Sequence, residues 1–364
     1  MNRIHPAVTS GLDLTYKGTS NGAYDGFDRF GRVVDQKWQN STPTVKDQFK
    51  YGYDRASNRT WREVAPDGGN PTGFDEFYTY DGLQRLTKAE RGTLAGSPYS
   101  SITSHTKRQD FGLEALGNWK TFKEDAGDGS TWDLEQTRTH NPVNEMTGIS
   151  QNQGQTQWIV PAFDLAGNMT SGPKPGSETT RIHMKYDAWN RMTAVYADDG
   201  NGDPGDLIIT CRYDGLTRRI QKIVEGSPDV TYDYYYNEAW QCLEERKTPA
   251  GGSTTVYAQY VWDIRYIDAP VLRWRDSDND ENHTLDETLY YTNDANMNVT
   301  ALVEPDGDVV ERYAYDLLCH TRLAACKVPP AHGPDADPQP VAEKAIIDIY
   351  DPAAPLQANI SKKK

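Results

Sequence analysis

The chain has 364 residues and a formal net charge of −15, and only about one residue in six is Leu, Ile, Val or Phe, a composition at the border of disorder. It also holds 22 Tyr and 9 Trp, whose large rings can build a thin aromatic core in place of aliphatics. The acidity argues against a nucleic-acid partner, and no stretch reaches the roughly 18–20 apolar residues of a membrane span. The four cysteines, Cys211, Cys242, Cys319 and Cys326, are too few for a disulfide scaffold.

Met1 to Lys17 has no apolar h-region, so no signal peptide is expected there. A repeat follows. Phe27-Asp28-Arg29-Phe30-Gly31-Arg32, Tyr53-Asp54-Arg55-Ala56-Ser57-Asn58 and Tyr80-Asp81-Gly82-Leu83-Gln84-Arg85 space their aspartates by 26 and 27 residues. A weaker stretch separates these from Phe163-Asp164-Leu165-Ala166-Gly167-Asn168, Tyr186-Asp187-Ala188-Trp189-Asn190-Arg191 and Tyr213-Asp214-Gly215-Leu216-Thr217-Arg218, spaced by 23 and 27, with Tyr236-Asn237 as a decayed copy 23 further on. The Asn-x-Thr sequons at Asn58 and Asn168 fall inside this signature, and turn chemistry accounts for them.

Aromatic alternation such as Tyr51-Gly52-Tyr53 or Tyr78-Thr79-Tyr80 has period two, the mark of a strand with one buried face. The Asp after it can bond its own backbone two residues on, and Gly or Asn three or four residues later tolerates positive φ. Each unit is therefore a short hairpin that cannot bury its own aromatic face, and stacked neighbours solve that as a quasi-one-dimensional array. The fold class expected is all-β.

Further along, Gly200, Gly202 and Gly205 match Gly-x-Gly-x-x-Gly, but Asp198, Asp199, Asp203 and Asp206 would repel a pyrophosphate and no helix follows. An acidic loop between strands is expected. Asp276-Ser277-Asp278-Asn279-Asp280-Glu281-Asn282-His283-Thr284-Leu285-Asp286-Glu287 places acids at positions 1, 3, 5 and 12, the spacing of an EF-hand-type Ca²⁺ loop. The candidate metal ligands are Asp276, Asp278, Asp280, Asn282 through its carbonyl, and Glu287. Glu281 stands where such loops need Gly, and Leu289-Tyr290-Tyr291 reads as strand, so the competing reading is a solvated acidic insert. Cys319, His320, Cys326 and His332 do not have the tight Cys pairs of structural zinc. No hydrolase, metalloprotease or Walker motif is present.

The Tyr-Asp repeat resembles the RHS family, whose unit is the YD repeat. Tyr260-Val261-Trp262-Asp263-Ile264-Arg265-Tyr266, Tyr290-Tyr291-Thr292-Asn293-Asp294-Ala295-Asn296-Met297-Asn298 and Val309-Val310-Glu311-Arg312-Tyr313-Ala314-Tyr315-Asp316 are similar to the RHS repeat-associated core. The resemblance covers roughly residues 24–316. It implies antiparallel hairpins wound as a spiral ribbon or partial β-shell, a secreted or cell-surface location, and a part in toxin delivery with an encapsulated or C-terminal polypeptide cargo. Related proteins often end the core in a self-cleaving Asp-Pro-x-Gly-Leu. Here Asp316 is followed by Leu317-Leu318, and Asp351-Pro352 by Ala353-Ala354, so no cleavage residue carries over.

The organisation expected is a repeat array over 1–240, a core-like segment over 241–318, and a Pro/Ala-rich, disordered tail over 319–364. The function expected is a non-catalytic scaffold without a catalytic site, with Ca²⁺ as the one candidate cofactor. The alternatives are an autoproteolytic toxin carrier and an adhesion module that binds cell-surface glycans through exposed Tyr and Trp.

Overall fold

A computed structural model describes residues 3–5, 7–16, 25–42, 44–65, 73–127, 131–151, 156–264, 266–278 and 283–315, and the short strands Ala325–Lys327 and Ile360–Lys362. Among the described residues every regular element is a strand, as the period-two pattern requires. The strand Val45–Tyr53 shows the reason: Val45, Asp47, Phe49 and Tyr51 are buried and the residues between them are not. One face is covered and the other meets water.

The strands form an 11-stranded sheet from Arg3–Ile4 to Met146–Gln151 and a 13-stranded sheet from Ala162–Phe163 to Val309–Arg312. In both, each strand neighbours the one before it and the one after it in sequence. Hairpin follows hairpin, pairing is antiparallel, and neither sheet closes on itself. The all-β array of antiparallel hairpins read from the repeat is therefore the fold. In the tail, Ala325–Lys327 pairs in parallel with Ile360–Lys362.

Two compact units are present. One holds residues 1–157 with 294–296 and 305–309, and the other holds the rest from Trp158 onward. Hairpin pairing runs without interruption across residue 240, where Tyr236 faces Cys242. The cores are small and separate. The first unit packs Phe49, Tyr51 and Val64 with Val33, Tyr53, Phe74 and Ala295. The second has one cluster of Ile182, Met184, Met192, Val195, Ile209 and Cys211 and another of Leu289, Tyr291, Val299, Leu302 and Tyr313.

The register shifts by one residue at the foot of most turns, between Gly52 and Tyr53, Thr79 and Tyr80, Lys185 and Tyr186, and Arg212 and Tyr213. The aromatic ahead of each Asp sits at this bulge. A type I turn followed by a residue at positive φ is the hairpin loop that such a bulge accompanies.

Candidate functional site

The recurring chemistry of the chain lies in its turns. In the turn after Tyr186, Asp187 Oδ1 accepts from the backbone N–H of Trp189 at 2.9 Å and of Arg191 at 3.1 Å, while Oδ2 accepts from Arg191 Nε at 2.6 Å. Arg191 then reaches forward, and its Nη1 donates to the carbonyl of Asp214 in the next turn at 2.9 Å. Tyr213, at the foot of that next turn, reaches back and donates its OH to the carbonyl of Met192 at 2.8 Å. The guanidinium of Arg191 lies 5.1 Å from the centre of the Tyr213 ring.

The same two-way link recurs along both sheets. Arg32 donates to Asp54 O at 3.0 Å and Tyr53 OH to Val33 O at 2.9 Å. Arg85 donates to Glu114 O at 2.8 Å, and Arg218 to Asn237 O at 3.2 Å. Where Asn replaces Arg, the forward bond goes to a side chain: Asn58 to Gln84, and Asn168 Nδ2 to Asn190 Oδ1 at 3.0 Å. Tyr, Asp and Arg of the repeat thus have separate duties: the first bonds backward, the second shapes the turn, the third bonds forward.

These bonds set the titration of the carboxylates. Partial desolvation pushes Asp187 up, but the backbone N–H and guanidinium of Arg191 and the N–H of Trp189 outweigh it, so its pKa is lowered. Asp214 is lowered in the same way by Arg218, and Asp54 chiefly by the Asn58 side chain. Positive φ falls three residues after the turn's first residue, at Gly31 (78°), Ser57 (72°), Gln84 (64°), Gly167 (83°), Asn190 (60°), Thr217 (69°) and Trp240 (66°). Gly or Asn was expected there; the geometry is imposed equally on Ser, Gln, Thr and Trp.

Among the described residues, further turns escaped the sequence reading. Glu114 and Asn141 begin turns of the same kind, with Gly117 and Asn144 donating back to their carbonyls at 3.0 Å and positive φ at both donors. Glu or Asn replaces Asp, and Leu113 or His140 stands where Tyr would be. The surviving signal was Gly or Asn at the fourth position followed by Asn118 or Glu145. One further turn residue, two after the first, points outward and is apolar in many copies: Phe30, Leu83, Leu116, Val143, Trp189 and Leu216 are each more than half exposed.

Charge is also buried inside the sheets. Glu76, 1 % exposed, pairs with Arg62 at 3.0 Å and Arg91 at 2.7 Å and accepts from Tyr78 OH. Desolvation alone would raise Glu76, and the two guanidinium groups reverse it, leaving its pKa lowered. Arg62 also faces Asp294 at 3.8 Å, and Tyr51 OH accepts from the N–H of Ala295 at 3.2 Å.

Of the calcium ligands read from sequence, the structure brings together Asp276 and Asp278, joined by Asp286, with one oxygen of each within 4.8 Å of the others. Asp276 is buried, and Asp278 and Asp286 are exposed. Three hard oxygen donors at that spacing suit a divalent cation. Asp286 also accepts from the N–H of Ser277 at 2.7 Å and from its hydroxyl at 2.5 Å. Glu287 lies on the following strand, where Arg273 and Arg275 each donate to it at 2.8 Å. Asp280 and Asn282 lie outside the described residues, as do His320, His332 and the side chains of Cys319 and Cys326. The Gly200 loop is the acidic turn of a hairpin between Met192–Asp198 and Pro204–Tyr213, and Asp199 Oδ1 accepts from the N–H of Asn201 and Asp203. Among the described residues no helix is long and apolar enough to cross a membrane.

No family model matches the chain, and no curated protein does. Solved structures do. Crystal structures described as TcdB2-TccC3-Cdc42 and TcdB2-TccC3 share the fold at TM-score 0.58, 14 % identity and 84 % of this chain. A Photorhabdus luminescens Tc holotoxin pore matches at TM-score 0.56, 14 % identity and 84 % of this chain. The chain spans only 14–15 % of the length of these structural neighbours. Its β-array is therefore similar in fold to part of Tc toxin chains.

Proposed function

We propose that the chain is a non-catalytic stretch of repeat scaffold in the shell of a larger, secreted toxin-delivery protein that holds a polypeptide cargo. The observation that carries this reading is the likeness of fold to Tc toxin chains across 84 % of the chain. The Tyr-Asp repeat, with its resemblance to the RHS family, points the same way. The turn carboxylates support a non-catalytic role. A general acid works best with its pKa raised toward the working pH, whereas Asp54, Asp187 and Asp214 are held low with their oxygens engaged. The apolar turn tips fit a scaffold that other polypeptide covers, since exposed apolar series mark contact surfaces.

Intact-mass measurement of the purified chain after prolonged incubation tests the reading. One species of 40.9 kDa is expected. Two fragments that together make up that mass would overturn it in favour of an autoproteolytic carrier. Saturable binding on a glycan array would overturn it in favour of an adhesion module.

A further inference from the structure

Three consecutive turns along one edge of the second sheet, those beginning at Asp214, Asn237 and Asp263, are tied side by side. Arg218 Nη1 donates to the carbonyl of Asn237 at 3.2 Å, and Gln241 Nε2 donates to the carbonyl of Ile267 at 2.8 Å. Their tips carry Leu216, Trp240, Ile264 and Ile267, which are 50–100 % exposed. Trp240 takes the positive-φ position at 66°, where most copies have Gly, Ser, Gln, Asn or Thr. A bulky residue at positive φ is a backbone outlier, and such strain collects at functional positions.

The strands behind these tips also depart from the repeat. Two residues after the turn the repeat has Thr60, Thr87, Thr170 and Thr193, but here Ile220 and Leu243. Just ahead of the aromatic it has Gly52, Thr79, Lys185 and Arg212, but here Tyr235 and Val261. The four replacements are 37–46 % exposed, while Arg219, Tyr234, Cys242 and Tyr260 beside them in the chain are buried. They therefore stand on the face away from the core. Tips and strand residues together make an apolar patch of on the order of 800 Å². That is more than the largest such patch on a typical monomer, and it is what one partner gives to a stable interface of standard size.

Charge at the two ends of the patch points to its occupant. Arg212 is exposed at the end formed by the Asp214 hairpin, and Asp268 at the end formed by the Asp263 turn. A two-fold axis through the middle turn brings Arg212 of one copy to Asp268 of the other and sets Trp240 against its own counterpart. We propose that this patch pairs with the same patch on a second copy of the chain to form a two-fold homodimer. The pairing stands on the patch itself and does not depend on the scaffold reading.

Sedimentation equilibrium of the full chain at pH 7, from about 1 to 100 μM, tests it. The weight-average mass is expected to rise with concentration from 40.9 kDa toward that of two chains. Trp240→Gly, which suits the positive φ, is expected to weaken association about tenfold or more without lowering the Tm of the monomer. Arg212→Glu alone and Asp268→Arg alone are each expected to weaken association, and the two together to restore it, because the exchanged charges meet again across the two-fold axis. Leu83→Glu, at a turn tip of the first sheet, is expected to leave association unchanged. The proposal is overturned by a chain that stays monomeric across that range, by association that Trp240→Gly leaves intact, or by a double exchange that associates no more tightly than the single ones. A monomeric chain that cosediments with phosphatidylcholine vesicles would overturn it in favour of a lipid surface.

Discussion

Asp187 collects two backbone N–H groups and a guanidinium on one carboxylate, and its pKa is lowered as a result. A carboxyl whose pKa is lower folded than unfolded adds stability above the unfolded value, about 3.9 for Asp, and loses it as the pH falls through the folded value. Wild type is therefore expected to melt above Asp187→Asn at pH 7, with a gap that holds down to about pH 5 and closes below about pH 4. Melting curves across that range check it, and a gap that stays constant to the acid end would remove the carboxylate from the account. The positive φ three residues on is a second residue-scale cost. Thr217 holds φ at 69°, where a β-branched side chain is strained. Thr217→Gly is expected to stabilise by about 0.5–1 kcal/mol, and Gly31→Ala to destabilise by about 1 kcal/mol. A Cβ on Gly31 would meet nothing within 4 Å, so the backbone alone sets that second value. Denaturant midpoints measure both.

At the scale of the hairpin, cohesion comes from pairs of bonds that run in opposite directions between consecutive turns. Arg191→Met removes the forward bond to Asp214 and unseats the Tyr213 ring contact, for an expected loss of about 1–2 kcal/mol. Arg191→Lys is expected to recover little, because an ammonium cannot bond Asp187 and the next carbonyl in one planar fork. Full recovery by Lys in denaturant unfolding would show that charge alone, not the fork, links the turns. Part of this element was legible in the residues: Asp after the aromatic announces the Asx bonding, and Gly or Asn after it announces the positive φ. The direction of the Arg bond was not legible, because it depends on which carbonyl the neighbouring hairpin presents. Glu114 and Asn141 were hidden for a related reason. A turn of this kind needs an acceptor at its start and tolerance of positive φ, and several residue types supply each.

Within each sheet, every strand pairs with its neighbours in sequence, and the small clusters around Phe49, Ile182 and Leu289 are what such a row allows. Polar side chains occupy buried positions in the same row, among them Gln36, Glu76, Gln109, Glu124 and Gln136. An aliphatic fraction close to that of disordered chains is thereby compatible with two long sheets, because aromatic rings and paired charges fill positions that Leu or Ile would hold elsewhere.

By itself the sequence determined the strand period, the repeat length and the turn chemistry, because each depends on residues within about ten positions of one another. Only the tertiary structure decided the rest. It gave Glu287 to Arg273 and Arg275 and grouped Asp286 with Asp276 and Asp278. It set Asp294 beside Arg62, far away in the chain, and it buried Arg138 against Trp119, Phe122 and Gln136. Those outcomes depend on cross-strand register and on contacts between distant segments. A one-residue slip in either would exchange the faces of a strand and every partner on it.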